Sequence, residues 1–294
     1  MSSDSEPHFK FYHYDPSLAG ACVLTIAFGV STIWHLVLIA KHKTWYFIPL
    51  LIGGIFELIG YAARGISHGQ APHPTIAPYV IQTLLILVAP ALFAATIYMI
   101  LGRIIVSVNG ESYSLIKKRW LTKTFVTSDV ISFLVQLGGG GLMASSHAST
   151  AQTGSHIVLA GLIIQILLFG FFVAVAGVFH RRLLVRERAL PHDLTLPWQK
   201  ILYVLYLASV FIMIRSIVRV AEFVQGFEGS IIRHEVYLYV FDALPMLAVM
   251  GVLGVWYPGQ YLGKVTKVSS VDDGESAMAE DGELELERTS EGRK

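Results

Sequence analysis

The sequence predicts an all-α integral membrane protein: a bundle of seven transmembrane helices, with its N-terminus outside and its C-terminus in the cytoplasm. Three observations predict this fold. Hydrophobic residues make up 54% of the 294 residues, and charged residues only 15%. The hydrophobic residues are gathered into long blocks, which is typical of membrane spans. Basic residues are concentrated in alternate connections between those blocks.

Seven apolar segments approach or exceed the ~20 residues that a helix needs to cross the hydrocarbon layer. They are Leu18–Ala40, Tyr46–Ile66, Ala77–Leu101, Leu121–Ser146, His156–Phe179, Ile201–Phe223 and Glu235–Tyr257. The fourth contains the glycines 138–141, which weaken a helix but in a membrane also permit close helix contact. Pro90 and Pro245 are expected to kink segments three and seven, and such kinks free backbone carbonyls.

The basic residues of the connections set the orientation. Twelve Lys or Arg lie in or beside connections one, three and five, whereas connections two, four and six contain only Arg233. The positive-inside rule then places residues 1–17 outside the cell, residues 18–257 in the membrane and residues 258–294 in the cytoplasm. The tail is rich in Ser, Gly, Asp and Glu, so we expect it to be mostly disordered.

Aromatic residues support this orientation. Interfacial anchors are expected at the cytoplasmic ends of the spans. The residues there are Trp45, Trp120, Trp198, Trp256 and Tyr257.

Several functions lack a signal in the sequence. The net charge of +1 does not argue for nucleic acid. Cys22 is the only cysteine, so an intrachain disulfide is excluded. No Gly-rich nucleotide loop is present. The histidines expected at the outer side have no ligand spacing for a metal, so we expect neither a metal nor a cofactor. They are His68, His73, His147, His156 and His234.

Polar residues inside the segments are the candidate functional residues, because each charge at a helix centre costs about 2.5–3.5 kcal/mol on insertion scales. Spacings of three and four place the members of a segment on one helical face. Segment two carries Glu57, Tyr61 and Arg64, and segment four carries Asp129 and Gln136. Segment six carries Arg215, Arg219 and Glu222, and segment seven carries Glu235, Tyr239 and Asp242.

These groups are expected to face the bundle interior and to pair with one another. Five acids and three arginines leave two acids without an arginine from this set. Arg103 is expected to serve Asp129. The other acid would be protonated, hydrated or held by Tyr61, Tyr98 or His234, and is a candidate for proton coupling. Ion pairs that only fix helix packing are the competing interpretation.

The interpretation differs between the deeper and the outer residues. Arg215 and Asp242 lie deeper and are expected to meet substrate. Arg219, Glu222 and Glu235 are expected to hold segments six and seven together.

Several blocks in order resemble the fungal RTA-like family, also called the lipid-translocating exporter family. They run from Tyr14-x-Pro16-Ser17 to Pro258-Gly259 and include Glu57-x-x-Gly60-Tyr61-x-x-Arg64, Ala89-Pro90, Gln136-x-Gly138-Gly139, Arg215-x-x-x-Arg219-x-x-Glu222 and Tyr239-x-x-Asp242. The first span departs from the pattern: Ala19-Gly20-Ala21 stands where an Asn is expected.

The resemblance implies a multi-pass fungal membrane protein, commonly of the plasma membrane, associated with resistance to toxic amphiphiles. It also implies release of sphingoid long-chain bases and, in one branch, porphyrin movement. We therefore expect a translocator of amphiphilic lipids, such as long-chain bases, sterol-like or other toxic amphiphiles, rather than an enzyme. Its partners would be membrane lipids and amphiphilic small molecules.

Two other functions remain open. A seven-helix lipid sensor or receptor would share the topology, but segment three has no acid before Arg103 and segment seven has no Asn-Pro motif. A membrane lipid hydrolase would need a metal cluster or an activated nucleophile. Ser132 and the scattered histidines offer no such arrangement.

Overall fold

The computed structural model describes residues 17–69, 76–108, 110–116, 118–143, 148–189, 197–225 and 235–262, and every regular element in them is helical. The long helices are α1 (Leu18–His42), α2 (Ile48–Gly69), α3 (Ile76–Ser107), α4 (Lys118–Met143), α5 (Ala148–Ala189) and α6 (Trp198–Gln225). The seventh span is composite: α7 (Glu235–Leu238), a π-helical turn (Tyr239–Ala243) and α8 (Leu244–Val255). Short 3-10 turns, Trp45–Phe47 and Glu111–Tyr113, precede α2 and α4.

Seven helical stretches in the described part of the chain are long and apolar enough to cross a membrane. The predicted all-α fold with seven helices able to cross a membrane is therefore confirmed. The predicted tail beyond Leu262 and all of the N-terminal segment except Ser17 lie outside the described residues, as do residues 144–147 at the predicted end of segment four.

The fifth helix is much longer than the segment predicted from hydropathy. It has 42 residues, or roughly 63 Å at 1.5 Å per residue, against a hydrocarbon layer of ~30 Å. Its last turns carry Arg181, Arg182 and Arg186. Arginine is a good helix former, but its charged group stays in water and not in the hydrocarbon layer. Hydropathy therefore marks the part of a helix that suits lipid and not the point where the helix ends.

The helices form a closed ring of neighbours. Each of α1 to α5 packs against the next helix in the chain, α6 packs against α8, and α8 packs against α1. The third helix also touches α6 across the bundle. Large apolar side chains on the outer faces, such as Val30, Ile33 and Leu167, are exposed, as expected of surfaces that face lipid. Polar side chains are thereby left to the interior seams.

One end of the bundle, which we call the basic end, holds the end of α1 with Lys41 and Lys43 and the end of α5 with its arginines. Trp45, Trp120 and Trp256 are exposed there. The expectation for Trp198 and Tyr257 was wrong, because both are buried. Trp198 packs edge-on against His180, and the hydroxyls of Tyr257 and Thr44 hydrogen-bond.

The seventh span is π-helical from Tyr239 to Ala243, a turn that contains Asp242. The π-helical turn ends one residue before Leu244, and Pro245 follows in the first turn of α8. Proline has no N–H and its ring clashes with the carbonyl four residues earlier, which is that of Phe241. A wider turn relieves that clash, and such π-bulges are frequent at functional sites. Pro245 thus shapes the span that carries Asp242.

The glycines of α4 lie within a continuous helix. A Cβ on Gly139 would lie 2.8 Å from the Gly154 carbonyl oxygen and 2.9 Å from the Val158 backbone nitrogen of α5. The same atom on Gly138 or Gly140 would meet nothing within 4 Å. Only Gly139 of these three therefore brings the two backbones together, which confirms the expected close helix contact.

We predict that Gly139→Ala destabilises the protein, while Gly138→Ala and Gly140→Ala do not. All three substitutions gain helix propensity of up to about 1 kcal/mol. Only Gly139→Ala adds a methyl group that pushes α5 away, and such overpacking typically costs about 1–3 kcal/mol. Melting temperatures of the three purified variants in one detergent test this. Equal melting temperatures would show that the α4–α5 contact does not depend on Gly139.

Candidate functional site

An ion pair joins α6 to the π-helical turn inside the bundle. The Arg215 Nε atom lies 2.6 Å from Asp242 Oδ1, and both side chains are at least 93% buried. The turn directs Asp242 to the interior of the bundle, and Arg215 lies on the buried face of α6. This pair is the closest contact between oppositely charged side chains in the described residues.

A backbone carbonyl on a third helix, that of Ile86, is the other partner of Arg215. Its Nη2 atom donates a hydrogen bond of 2.7 Å to the Ile86 carbonyl oxygen. Ile86 is four residues before Pro90, which lies inside α3. Pro90 has no N–H to donate to that carbonyl, so the oxygen is available to the guanidinium. The carbonyl that Pro90 was expected to free is thus used by Arg215.

Arg219 extends this arrangement by one turn of α6. Its Nη1 atom donates to Glu222 Oε2 at 3.0 Å, and its Nε atom lies 3.5 Å from Asp242 Oδ1. Arg219 therefore helps to hold α6 to the seventh span, as predicted. For Glu222 that expectation was wrong, because its carboxylate pairs within α6, where a spacing of three residues brings the two side chains together. The side chain of Glu235 lies outside the described residues.

Glu57 of α2 faces this group without a direct partner. It is 1% exposed, and neither carboxylate oxygen has a hydrogen-bond partner among the described residues. It interacts electrostatically with Asp242, Arg215 and Arg219. The buried Tyr61 hydroxyl, one turn further along α2, has no hydrogen-bond partner in the described residues either. We call Glu57, Arg215, Arg219, Glu222 and Asp242 the charge cluster.

Arg64 contacts the seventh span at a different point. Its Nε atom donates to the Tyr239 hydroxyl at 3.4 Å, and its guanidinium carbon lies 5.6 Å from the centre of that ring. The Tyr239 hydroxyl also donates to the Ser17 carbonyl oxygen at 3.4 Å. This contact fastens α2 and the π-helical turn to the start of α1.

The predicted residues of α4 have other partners. Asp129 Oδ2 accepts a hydrogen bond of 3.0 Å from the Tyr98 hydroxyl, and Gln136 donates one of 2.9 Å to Gln165. Arg103, expected beside Asp129, instead lies 4.0 Å from the centre of the Tyr46 ring. A planar guanidinium stacks well on an aromatic ring near the membrane interface. Because Arg103 stacks on Tyr46, the partner of Asp129 is the neutral hydroxyl of Tyr98.

The structure therefore divides the predicted site. Residues of α2, α6 and the π-helical turn come together, while Asp129 and Gln136 link α4 to α3 and α5. Sequence reasoning missed the Ile86 carbonyl as a ligand, although the proline four residues later was its signal. No group of three or more His, Cys, Asp or Glu in the described residues is arranged to hold a metal.

Seven apolar spans around a buried charge cluster define an integral membrane protein with a polar site inside its helix bundle. The model of the family described as "RTA1 like protein" matches residues 50–265. The chain belongs to this family.

Individual fungal proteins are similar over most of the chain. Protoporphyrin uptake protein 1 of Saccharomyces cerevisiae is 38% identical over 302 aligned residues, covering 90% of this chain and 97% of that protein. Protein RTM1 of Saccharomyces cerevisiae is 36% identical and covers 92% and 99%. The sphingoid long-chain base transporter RSB1 of Saccharomyces cerevisiae is 26% identical and covers 86% and 75%. No solved structure matches the chain.

We predict that Arg215→Met destabilises the protein far more than Glu222→Gln. Removing one partner of a buried pair typically costs about 3–5 kcal/mol, whereas a partly exposed pair within a helix is worth ~0–1 kcal/mol. Chemical unfolding in one detergent measures both. Equal losses would contradict a dominant role for the Arg215–Asp242 pair.

We also predict that Pro90→Ala weakens the hydrogen bond from Arg215 to the Ile86 carbonyl oxygen. An alanine N–H competes for the Ile86 carbonyl. Arg215→Met should then cost less in the Pro90→Ala background, by a coupling energy of about 0.5–3 kcal/mol. Pro49→Ala, in the first turn of α2, is the control background. Additive effects of Pro90→Ala and Arg215→Met would contradict the shared carbonyl.

Proposed function

We propose that this protein moves amphiphilic lipids across or out of the membrane. The single observation that carries the proposal is the charge cluster, which places ionisable groups inside a bundle whose outer surface suits lipid. The polar head of a lipid crosses hydrocarbon slowly because desolvation is costly. An interior polar seam lowers that cost by offering charged partners along the way.

The balance of charge favours a cationic head group. When all its members are ionised, the charge cluster has three carboxylates and two guanidiniums, which leaves one negative charge. Both arginines already contact acids of the cluster, whereas Glu57 has no direct partner among the described residues. An ammonium group at Glu57 would restore neutrality. Sphingoid long-chain bases carry such a group, and one relative is named as their transporter.

The same features support a transporter rather than an enzyme. Arg215 and Arg219 of α6 both contact Asp242 of the seventh span, and relatives are named for uptake or transport. We place the basic end in the cytoplasm by the positive-inside rule. The plasma membrane is the location that fits export of toxic amphiphiles.

We predict that Glu57→Gln slows movement of a fluorescent long-chain base in proteoliposomes by about tenfold or more, which corresponds to ~1.4 kcal/mol in the barrier. The substitution removes the charge but keeps the size of the side chain. Glu111→Gln, on an exposed turn, is the matched control and should move the base at the wild-type rate. An uncharged analogue of the same chain length should be affected less by Glu57→Gln.

Two results would refute the proposal. One is that the purified, folded protein moves no amphiphile above the rate of empty vesicles. The other is that Glu57→Gln and Glu111→Gln move the base equally fast. A ligand-dependent association with a G-protein subunit, without lipid movement, would favour a receptor instead.

A further inference from the structure

A row of buried polar atoms runs along the seam where α1, α2 and α8 meet. The atoms are Tyr61 Oη, both carboxylate oxygens of Glu57, Thr32 Oγ1 and His35 Nε2. None has a hydrogen-bond partner among the described residues. Buried polar groups are rarely left without partners, least of all in a membrane. Four such side chains in sequence along one seam indicate a function that uses them together.

The contacts fix the order of this row. The ring of Tyr61 stacks on that of Phe28 at 5.6 Å, and a Cβ on Gly54 would lie 2.6 Å from Thr32 Oγ1. Since α1 and α2 are antiparallel neighbours, Glu57 lies between the levels of Phe28 and Thr32. The seam therefore passes from the charge cluster to Thr32.

His35 continues the row one turn further along the same buried stripe of α1. A Cβ on Gly254 of α8 would lie 3.2 Å from its Cε1 atom. Its Nδ1 atom donates to the Ser31 carbonyl at 2.9 Å. A carbonyl only accepts, so the neutral ring presents the lone pair of Nε2 to the seam. From His35 the helix rises about 10 Å to His42 at the basic end.

We propose that Glu57 is a proton-binding site that exchanges protons with the basic end through Thr32 and His35. The O–H bond of the Glu57 carboxylic acid breaks, and the Thr32 hydroxyl takes up that proton through bridging water while giving its own, again through water, to His35 Nε2. The imidazolium then releases a proton to solvent water at the basic end, and the ring returns to its neutral form. The transfer conserves atoms and charge, and it does not depend on lipid movement.

Asp242 of the π-helical turn and Arg215 and Arg219 of α6 act electrostatically on Glu57. Tyr61 of its own helix interacts with Glu57 as well. Further titratable groups on the elements around Glu57 include Arg64, His35 and Tyr239. From α3 the apolar side chains of Ile86 and Phe93 pack against Gly60 and Gly53. With both arginines engaged by other acids, a proton is the smallest cation that neutralises Glu57.

Infrared spectroscopy of the full chain in lipid nanodiscs tests the site. The wild type should show a carboxylic-acid C=O band that disappears as pH rises and is missing in Glu57→Gln. Glu111→Gln should keep it. If no pH-dependent band is lost in folded Glu57→Gln, the proton site is refuted, whatever the result of the lipid assay.

Pairs of matched variants test the path. After a pH jump, the Glu57 band should relax about tenfold more slowly or worse in Thr32→Val and His35→Leu, as expected when a transfer barrier rises. Thr25→Val and His180→Leu lie off the seam and should relax like the wild type. If His35→Leu does not fold, His35→Gln is measured in its place. Relaxation rates of the seam variants equal to those of their controls would overturn the path.

Discussion

The ion pair between Arg215 and Asp242 is the interaction on which the rest of the interior depends. Moving two ions out of water is costly, and a close contact with further hydrogen bonds offsets that cost. Here the separation is 2.6 Å, and the guanidinium also donates to the Ile86 carbonyl oxygen on a third helix. Helices α3, α6 and the seventh span are therefore held in one register. Arg219 reinforces that register from the next turn.

Two prolines prepare this interaction from opposite sides. Pro90 leaves the Ile86 carbonyl without its helical donor, and Pro245 follows the π-helical turn that carries Asp242. In a membrane a missing helical hydrogen bond has no water to replace it. The Ile86 carbonyl therefore needs another donor from within the bundle. Arg215 is the donor at Ile86, so one side chain both satisfies the carbonyl freed by Pro90 and pairs with the buried Asp242.

Sequence reasoning reached the seven spans because hydrophobic block length is a property of the chain alone. It also reached Glu57, Arg215 and Asp242 as interior residues, because charge inside such blocks is costly. It did not predict which side chains pair with Asp129 and Glu222. Tyr98 rather than Arg103 serves Asp129, and Glu222 pairs within its own helix, because such choices depend on helix rotation and depth. The π-helical turn also rotates Asp242 relative to the preceding residues, and a sequence pattern with a constant helical period does not predict that rotation.

The charge cluster has one more acid than it has arginines, and this surplus bears on both its structural and its functional role. Arg215, Arg219, Glu222 and Asp242 form a neutral group that can hold helices together permanently. Glu57 adds a fifth charge from α2, without a direct partner in the described residues. A group that is needed only for packing gains nothing from an acid that unbalances it. The extra carboxyl becomes intelligible if a cation visits it. A proton and an ammonium head group would then compete for the same carboxylate.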